Sequence, residues 1–199
     1  MIVLVRHGRT EANARGLLLG RADPDLDDEG RAQAVRLAAA LGSLDVARVV
    51  TSPLARCRQT AEAVAASCAP GARLDVGVDE RWIELDYGAF DGLASGDVPP
   101  ATWVAWRADV SWAPEGGESL AALGERVRAA CADLAPDARD RDVVVVTHVS
   151  PVKAAVAWAL SVGDEIAWRL WVAPASISRI AVTGPAPTLR SFNEVAHLD

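Results

Sequence analysis

Short, unbroken apolar runs alternate along this chain with longer stretches in which apolar positions recur every three to four residues. Four runs, at 2–5 (IVLV), 47–51 (ARVVT), 72–78 (ARLDVGV) and 142–147 (DVVVVT), predict buried strands, because a run rich in Val and Ile without alternation suits a sheet covered on both faces. Between them, 28–42, 53–67, 118–135 and 150–162 are Ala-rich with one apolar face and predict helices. Strand followed by helix, repeated, gives an α/β fold. The expected form is a three-layer α/β/α sandwich around a mostly parallel central sheet. Two junctions are written alike, Ser52-Pro53 and Ser150-Pro151, each placing a hydroxyl at the N-cap and proline at the first helical position.

The stretch 86–117 breaks this rhythm with five glycines, three tryptophans and a Pro-Pro step. It reads as an insertion, helical around 100–109, that crosses the active-site end of the sheet. Towards the end of the chain, 175–182 and 188–193 predict two more short strands around a Gly-Pro turn, forming a hairpin at one edge. No repeat interrupts the pattern, and 199 residues suit one domain spanning 1–199.

Composition narrows the function. With 51% hydrophobic and 24% charged residues the chain has the make-up of a folded core. Lys+Arg 20 against Asp+Glu 27 gives a net charge of −7, which argues against nucleic acid or an anionic membrane as partner. Cys57, Cys68 and Cys131 are widely spaced and odd in number, so neither a disulfide framework nor a zinc cage is expected, and a cytoplasmic location fits. The apolar run at 2–5 is too short for a secretion signal or a membrane span.

Several chemistries drop out on their motifs. Asp23, Asp25 and Asp27 resemble the start of a calcium loop, but Asp28 stands where the loop needs glycine and Ala34 where it needs glutamate. These acids instead favour the N-terminal end of the next helix. Lys153, the only lysine, lies outside any GxxxxGK[ST] pattern, which excludes a P-loop. HExxH, GxSxG and GxGxxG are missing as well.

What remains is a constellation at one sheet edge. His7 follows the first predicted strand and His148 the one at 142–147, and ligands of open α/β sheets bind beyond the carboxyl ends of the strands. Arg6 flanks His7, and Arg56 lies in the first turn of the helix after the strand at 47–51. Guanidinium forks match phosphate oxygens, and fresh helix N-termini add N–H donors aimed the same way. A lone histidine after a strand is more often structural than catalytic; it is the joint pattern that points to a phosphoryl group.

Five segments in order, LVRHGRTEAN (4–13), SPLARCRQTA (52–61), ELDYGAFDG (84–92), EGGES (115–119) and VVVTHVSP (144–151), resemble the histidine phosphatase superfamily, relatives of the phosphoglycerate mutases. The resemblance implies that His7 is a nucleophile forming a phosphohistidine, and that Arg6, Arg56 and His148 neutralise the phosphoryl oxygens. It implies Glu84 as the acid that protonates the leaving group and then activates water. Asn13, Gly20 and the backbone N–H of Val149 match positions that line the phosphate and substrate pocket. No metal or other cofactor is implied. For His7 to attack, its second ring nitrogen should donate to a backbone carbonyl, for which Gly8 leaves room.

Other residues keep plainer expectations. Asp86 has a supporting role at best, His197 is a tail residue, and Cys57 is a small buried helix residue rather than a redox thiol. Trp103, Trp106 and Trp112 either wall the substrate or pack the insertion onto its own domain. Trp168 and Trp171 could support a homodimer.

Three departures from the mutase pattern favour a phosphatase: Leu85 in place of the usual Arg after the acid, Val149-Ser150 after the second histidine, and a short 86–117 region. The expected substrate is a small phosphomonoester, in the manner of broad-specificity acid phosphatases or sugar and ribazole phosphate phosphatases. A phosphoglycerate mutase and a phosphoprotein-binding or regulatory module are the alternatives.

Overall fold

The computed structural model describes residues 1–68 and 74–199. In chain order the elements are β1 (Ile2–Arg6), α1 (Glu11–Ala14), α2 (Asp28–Leu41), β2 (Val46–Thr51), α3 (Ala55–Cys68), β3 (Val76–Val78), α4 (Pro100–Ala108), α5 (Leu120–Leu134), α6 (Asp137–Asp140), β4 (Asp142–Thr147), α7 (Val149–Leu160), β5 (Ile177–Ala181) and β6 (Thr188–Glu194), with single 3₁₀ turns between some of them. One six-stranded sheet has the order β3-β2-β4-β1-β5-β6. Its first four strands run parallel, and β5 and β6 add an antiparallel edge.

Alternation of side chains divides the core into two layers. Ile2 and Leu4 of β1 and Val143 and Val145 of β4 face α5 and α7, while Val3, Val5, Val144 and Val146 face α2 and α3. These eight side chains are completely buried. Each fully buried Val, Leu or Ile contributes about 1.5–3 kcal/mol, so the centre of the sheet is the part of the fold most resistant to distortion. The result is the α/β/α sandwich that the apolar runs predict.

Local departures have local causes. β3 is confined to Val76–Val78, and residues 72 and 73 of the predicted strand lie outside the described residues. The Ser-Pro rule misplaces both helix starts. α3 begins at Ala55, after a bend at Pro53 and Leu54. α7 begins at Val149, with His148 in extended conformation at the N-cap position and no side chain of its own capping it. In contrast, α2 and α5 have side-chain caps of their own: Asp27 accepts from the Gly30 N–H, and Ser119, inside the predicted helix 118–135, accepts from the Ala122 N–H.

The 86–117 stretch contains α4 and an aromatic cluster. Trp106 is buried, stacked on Trp103 at 5.7 Å between ring centroids and packed edgewise on Trp168 and Tyr87. No helix among the described residues is long and apolar enough to cross a membrane.

Candidate active site

The parallel pairing of β1 with β4, in register at Arg6 and Thr147, delivers both histidines to one point. The His7 N–H donates to the Thr147 carbonyl at 2.9 Å, extending the ladder by one bond. The two imidazoles meet edge to face with centroids 5.1 Å apart, and His7 and His148 are 2% and 0% exposed.

His7 Nδ1 lies 2.7 Å from the Gly8 carbonyl oxygen. A carbonyl only accepts, so Nδ1 carries the proton and Nε2 keeps the lone pair. Burial, then the charges of Arg56 and Arg6, hold the His7 pKa well below its usual value, against a smaller raising effect of the Gly8 hydrogen bond. The ring is therefore neutral at physiological pH, as a nucleophile must be.

The cations are as buried as the imidazoles. Arg6 donates from Nη1 to the Val172 carbonyl at 2.7 Å, and its buried Nε has no partner among the described residues. Burial brings the Arg6 pKa down to about 10, partly offset by Glu84. Arg56 is fully buried and bound on three sides: Nη1 to the Ala22 carbonyl, Nη2 to the Gly20 carbonyl and Nε to His148 Nδ1 at 3.3 Å. His148 Nε2 lies 2.7 Å from Ser52 Oγ, so this serine braces the imidazole instead of capping a helix. The two buried guanidiniums have Glu84 as their one buried acid, with the partly exposed Asp23 at 3.9 Å from Arg56 Nη1, and so leave a site that an anion would complete.

Glu84 is 3% exposed, and its Oε1 accepts from the Leu85 N–H and, at 3.2 Å, from the Ser150 N–H in the first turn of α7. This carboxyl oxygen caps α7 from another segment of chain. Arg126 steadies its backbone, donating to the carbonyls of Glu84 and Arg81 while paired with Glu118.

A cavity of about 500 Å³ opens beside these groups, with Arg6, His7, Asn13, Glu84 and Val149 on its wall. The Asn13 Oδ1 is committed to Thr10 in a capping box, which leaves the amide NH₂ as its free donor. Val149 opens α7 and contributes a first-turn N–H. Arg56, His148 and Gly20 are behind this wall. The Gly20 N–H donates to Asp91 and its carbonyl receives Arg56. Asp86 is paired with Arg21, and the His197 Nε2 sits 3.0 Å from the Ala175 carbonyl, away from the cavity. Cys57 Sγ lies 3.3 Å from His148 Nε2, and burial pushes its thiol pKa far up, which keeps it inert.

Two supporting residues escape sequence reasoning. Asp91 accepts from the N–H groups of Gly20, Arg21 and Ala22 at 2.7–3.0 Å, fixing the loop whose carbonyls hold Arg56. Thr60 accepts from the Gly8 N–H and donates to the Arg56 carbonyl, joining the two loops. The only signal for Asp91 is its place in the ELDYGAFDG segment. Among the described residues no group of three or more His, Cys, Asp or Glu side chains is arranged to hold a metal ion.

The family model for the histidine phosphatase superfamily, branch 1, matches residues 2–195. A bifunctional protein of Mycobacterium tuberculosis is 34% identical over 99% of this chain, which covers 54% of that protein; the chain thus spans about half the length of the first curated relatives it matches. Glucosyl-3-phosphoglycerate phosphatase of Mycobacterium tuberculosis is 35% identical over 74% of this chain and 69% of its own length. The solved structure of a mycobacterial glucosyl-3-phosphoglycerate phosphatase complexed with VO3 superposes with a TM-score of 0.87 at 30% identity, covering 98% of this chain and 99% of the other.

Proposed function

This chain belongs to the histidine phosphatase superfamily (branch 1), and from that premise we infer that it hydrolyses small phosphomonoesters through a phosphohistidine formed on His7. The observation that carries this reading is the Gly8 carbonyl on His7 Nδ1, which leaves the Nε2 lone pair free among Arg6, Arg56 and Glu84.

In the first step Nε2 attacks phosphorus, the P–O ester bond breaks, and Glu84 gives its proton to the departing oxygen. In the second, the Glu84 carboxylate takes a proton from water whose oxygen attacks phosphorus, the P–N bond breaks, and phosphate leaves. Arg6, whose guanidinium reaches the cavity wall, receives the equatorial oxygens, while Arg56 supplies positive potential close to His7 and His148 holds that guanidinium in place through Nδ1. Asn13, Gly20 and Val149 complete the binding site, Gly20 through its hold on Arg56. Sugar-type phosphomonoesters are the substrate class we favour, supported by the likeness to mycobacterial glucosyl-3-phosphoglycerate phosphatase in sequence and in structure.

We read residues 1–199 as one such domain, with 86–117 inserted over the active-site edge, a reading supported by Tyr87 and Ser95 on the cavity wall. The three free cysteines support a reducing, cytoplasmic setting.

Hydrolysis of p-nitrophenyl phosphate tests the mechanism. His7→Ala is expected to lower kcat by at least about a thousandfold, EDTA to leave turnover intact, and acid-labile, alkali-stable phosphate to appear on the wild-type chain alone. Residual activity that tracks added metal would refute the assignment.

A further inference from the structure

Lys153 lies one turn into α7, four residues after Val149 and on the same helix face. Both line the cavity that holds His7 and Glu84. Lys153 also lines a smaller cavity of about 140 Å³ walled by Leu85, Trp103, Trp106 and Trp168. The only lysine in the chain therefore stands on the partition between the catalytic cavity and an aromatic side chamber.

The Lys153 residue is half-buried, and its ammonium makes neither a hydrogen bond nor an ion pair with any described residue. By contrast, Arg126 is paired with Glu118, and Arg21 with Asp86 and Glu118. Burial pushes the Lys153 pKa down, with Glu84 acting the other way and Arg6 adding to the depression. A half-buried cation without a partner among the described residues, on the wall of a ligand cavity, is a charge available to a ligand.

The catalytic cavity is also larger than one phosphoryl group requires, since volumes of about 300–1,000 Å³ accommodate drug-sized molecules. Arg6 and His7 occupy the end where phosphorus reacts. Lysine, a point charge on a flexible stem, suits an anion whose position varies, whereas the phosphoryl end uses the rigid forks of arginine.

We propose that Lys153 receives a second anionic group of the substrate, a carboxylate or a second phosphoryl group, carried on the part of the molecule away from the phosphorus that His7 attacks. This deepens the phosphatase reading and rests on it. The preferred substrates are phosphomonoesters that keep a negative charge after hydrolysis, so the product is itself an anion.

The test compares 3-phosphoglycerate with glycerol 3-phosphate, which differ only in carboxylate against hydroxymethyl, and adds glycerol 1,3-bisphosphate and p-nitrophenyl phosphate. The wild type is expected to prefer the compounds with a second charge. Lys153→Met should lower the ratio of kcat/KM for the charged over the uncharged member by about 10–100-fold, chiefly through KM, and Lys153→Arg should keep most of it. Whether 3-phosphoglycerate or the bisphosphate loses more identifies the anion. A ratio unmoved by Lys153→Met overturns the proposal, as does an equal loss on all four compounds, which would mean that Lys153 acts on the chemistry through Glu84. Hydrolysis of all four by the wild type without preference overturns it while leaving the phosphatase reading intact; hydrolysis of none overturns both.

Discussion

The Asp91 carboxylate accepts three consecutive backbone N–H bonds and thereby turns the Gly20 and Ala22 carbonyls onto Arg56. Its effect on catalysis passes through two relays, so it is a positioning residue. Hydrogen bonds to a charged group contribute about 1.5–3 kcal/mol, and small displacements at a reacting centre cost up to about a hundredfold. Asp91→Ala is expected to lower kcat/KM by about 10–100-fold and unfolding stability by about 2–3 kcal/mol, with Asp91→Asn milder in both. Steady-state kinetics alongside urea titration will show whether the two fall together. The contrast with His7 explains what a sequence displays. His7 and His148 stand at the ends of apolar runs, where fold rules place ligands. Asp91 works on a loop some 70 positions away, a relation without periodicity. Lys153 is conspicuous by its rarity, but nothing in the spacing says that its partner is missing.

Elements meet at the site through glycines. A Cβ on Gly8 would overlap the Gly30 carbonyl, and one on Gly30, in the first turn of α2, would overlap the Arg9 carbonyl. The loop that carries His7 thus crosses the start of α2 backbone to backbone. Alanine is better than glycine inside a helix by up to about 1 kcal/mol, yet overpacking against backbone costs about 1–3 kcal/mol or more. Gly30→Ala should therefore destabilise the protein and slow turnover by shifting the His7 loop; an increase in the urea midpoint would contradict this packing account. Helix identity is legible in the apolar periodicity, but boundaries are not where capping comes from elsewhere. Ser150-Pro151 looks like a helix start, whereas the α7 N-terminus is satisfied by Glu84, 66 residues earlier.

For the molecule as a whole, the two buried imidazoles set the acid limit of stability. Burial and the neighbouring guanidiniums hold both pKa values well below 6.5 in the folded protein. Below pH 6.5 the unfolded chain binds two protons that the folded one refuses. Stability is thus lost as pH falls through this window, by up to about 2.7 kcal/mol per pH unit for the pair, and neither ring adds pH dependence above it. Urea midpoints measured from pH 7.5 to 5 should fall steadily below 6.5, and His7→Gln should reduce the slope by about half. A flat profile would show that the rings accept protons in the folded state. The net charge of −7 governs only the far field; the site itself is positive.

The pairing of β1 with β4 also sets when the enzyme comes into being. His7 is made some 140 residues before His148, so the site closes across a loop of about 140 residues, at an entropy cost of about 4 kcal/mol. Such long-range parallel pairing is slow to form. A chain emerging from the ribosome carries every motif up to Glu84 and still has no site, and turnover therefore reports that the central sheet is finished.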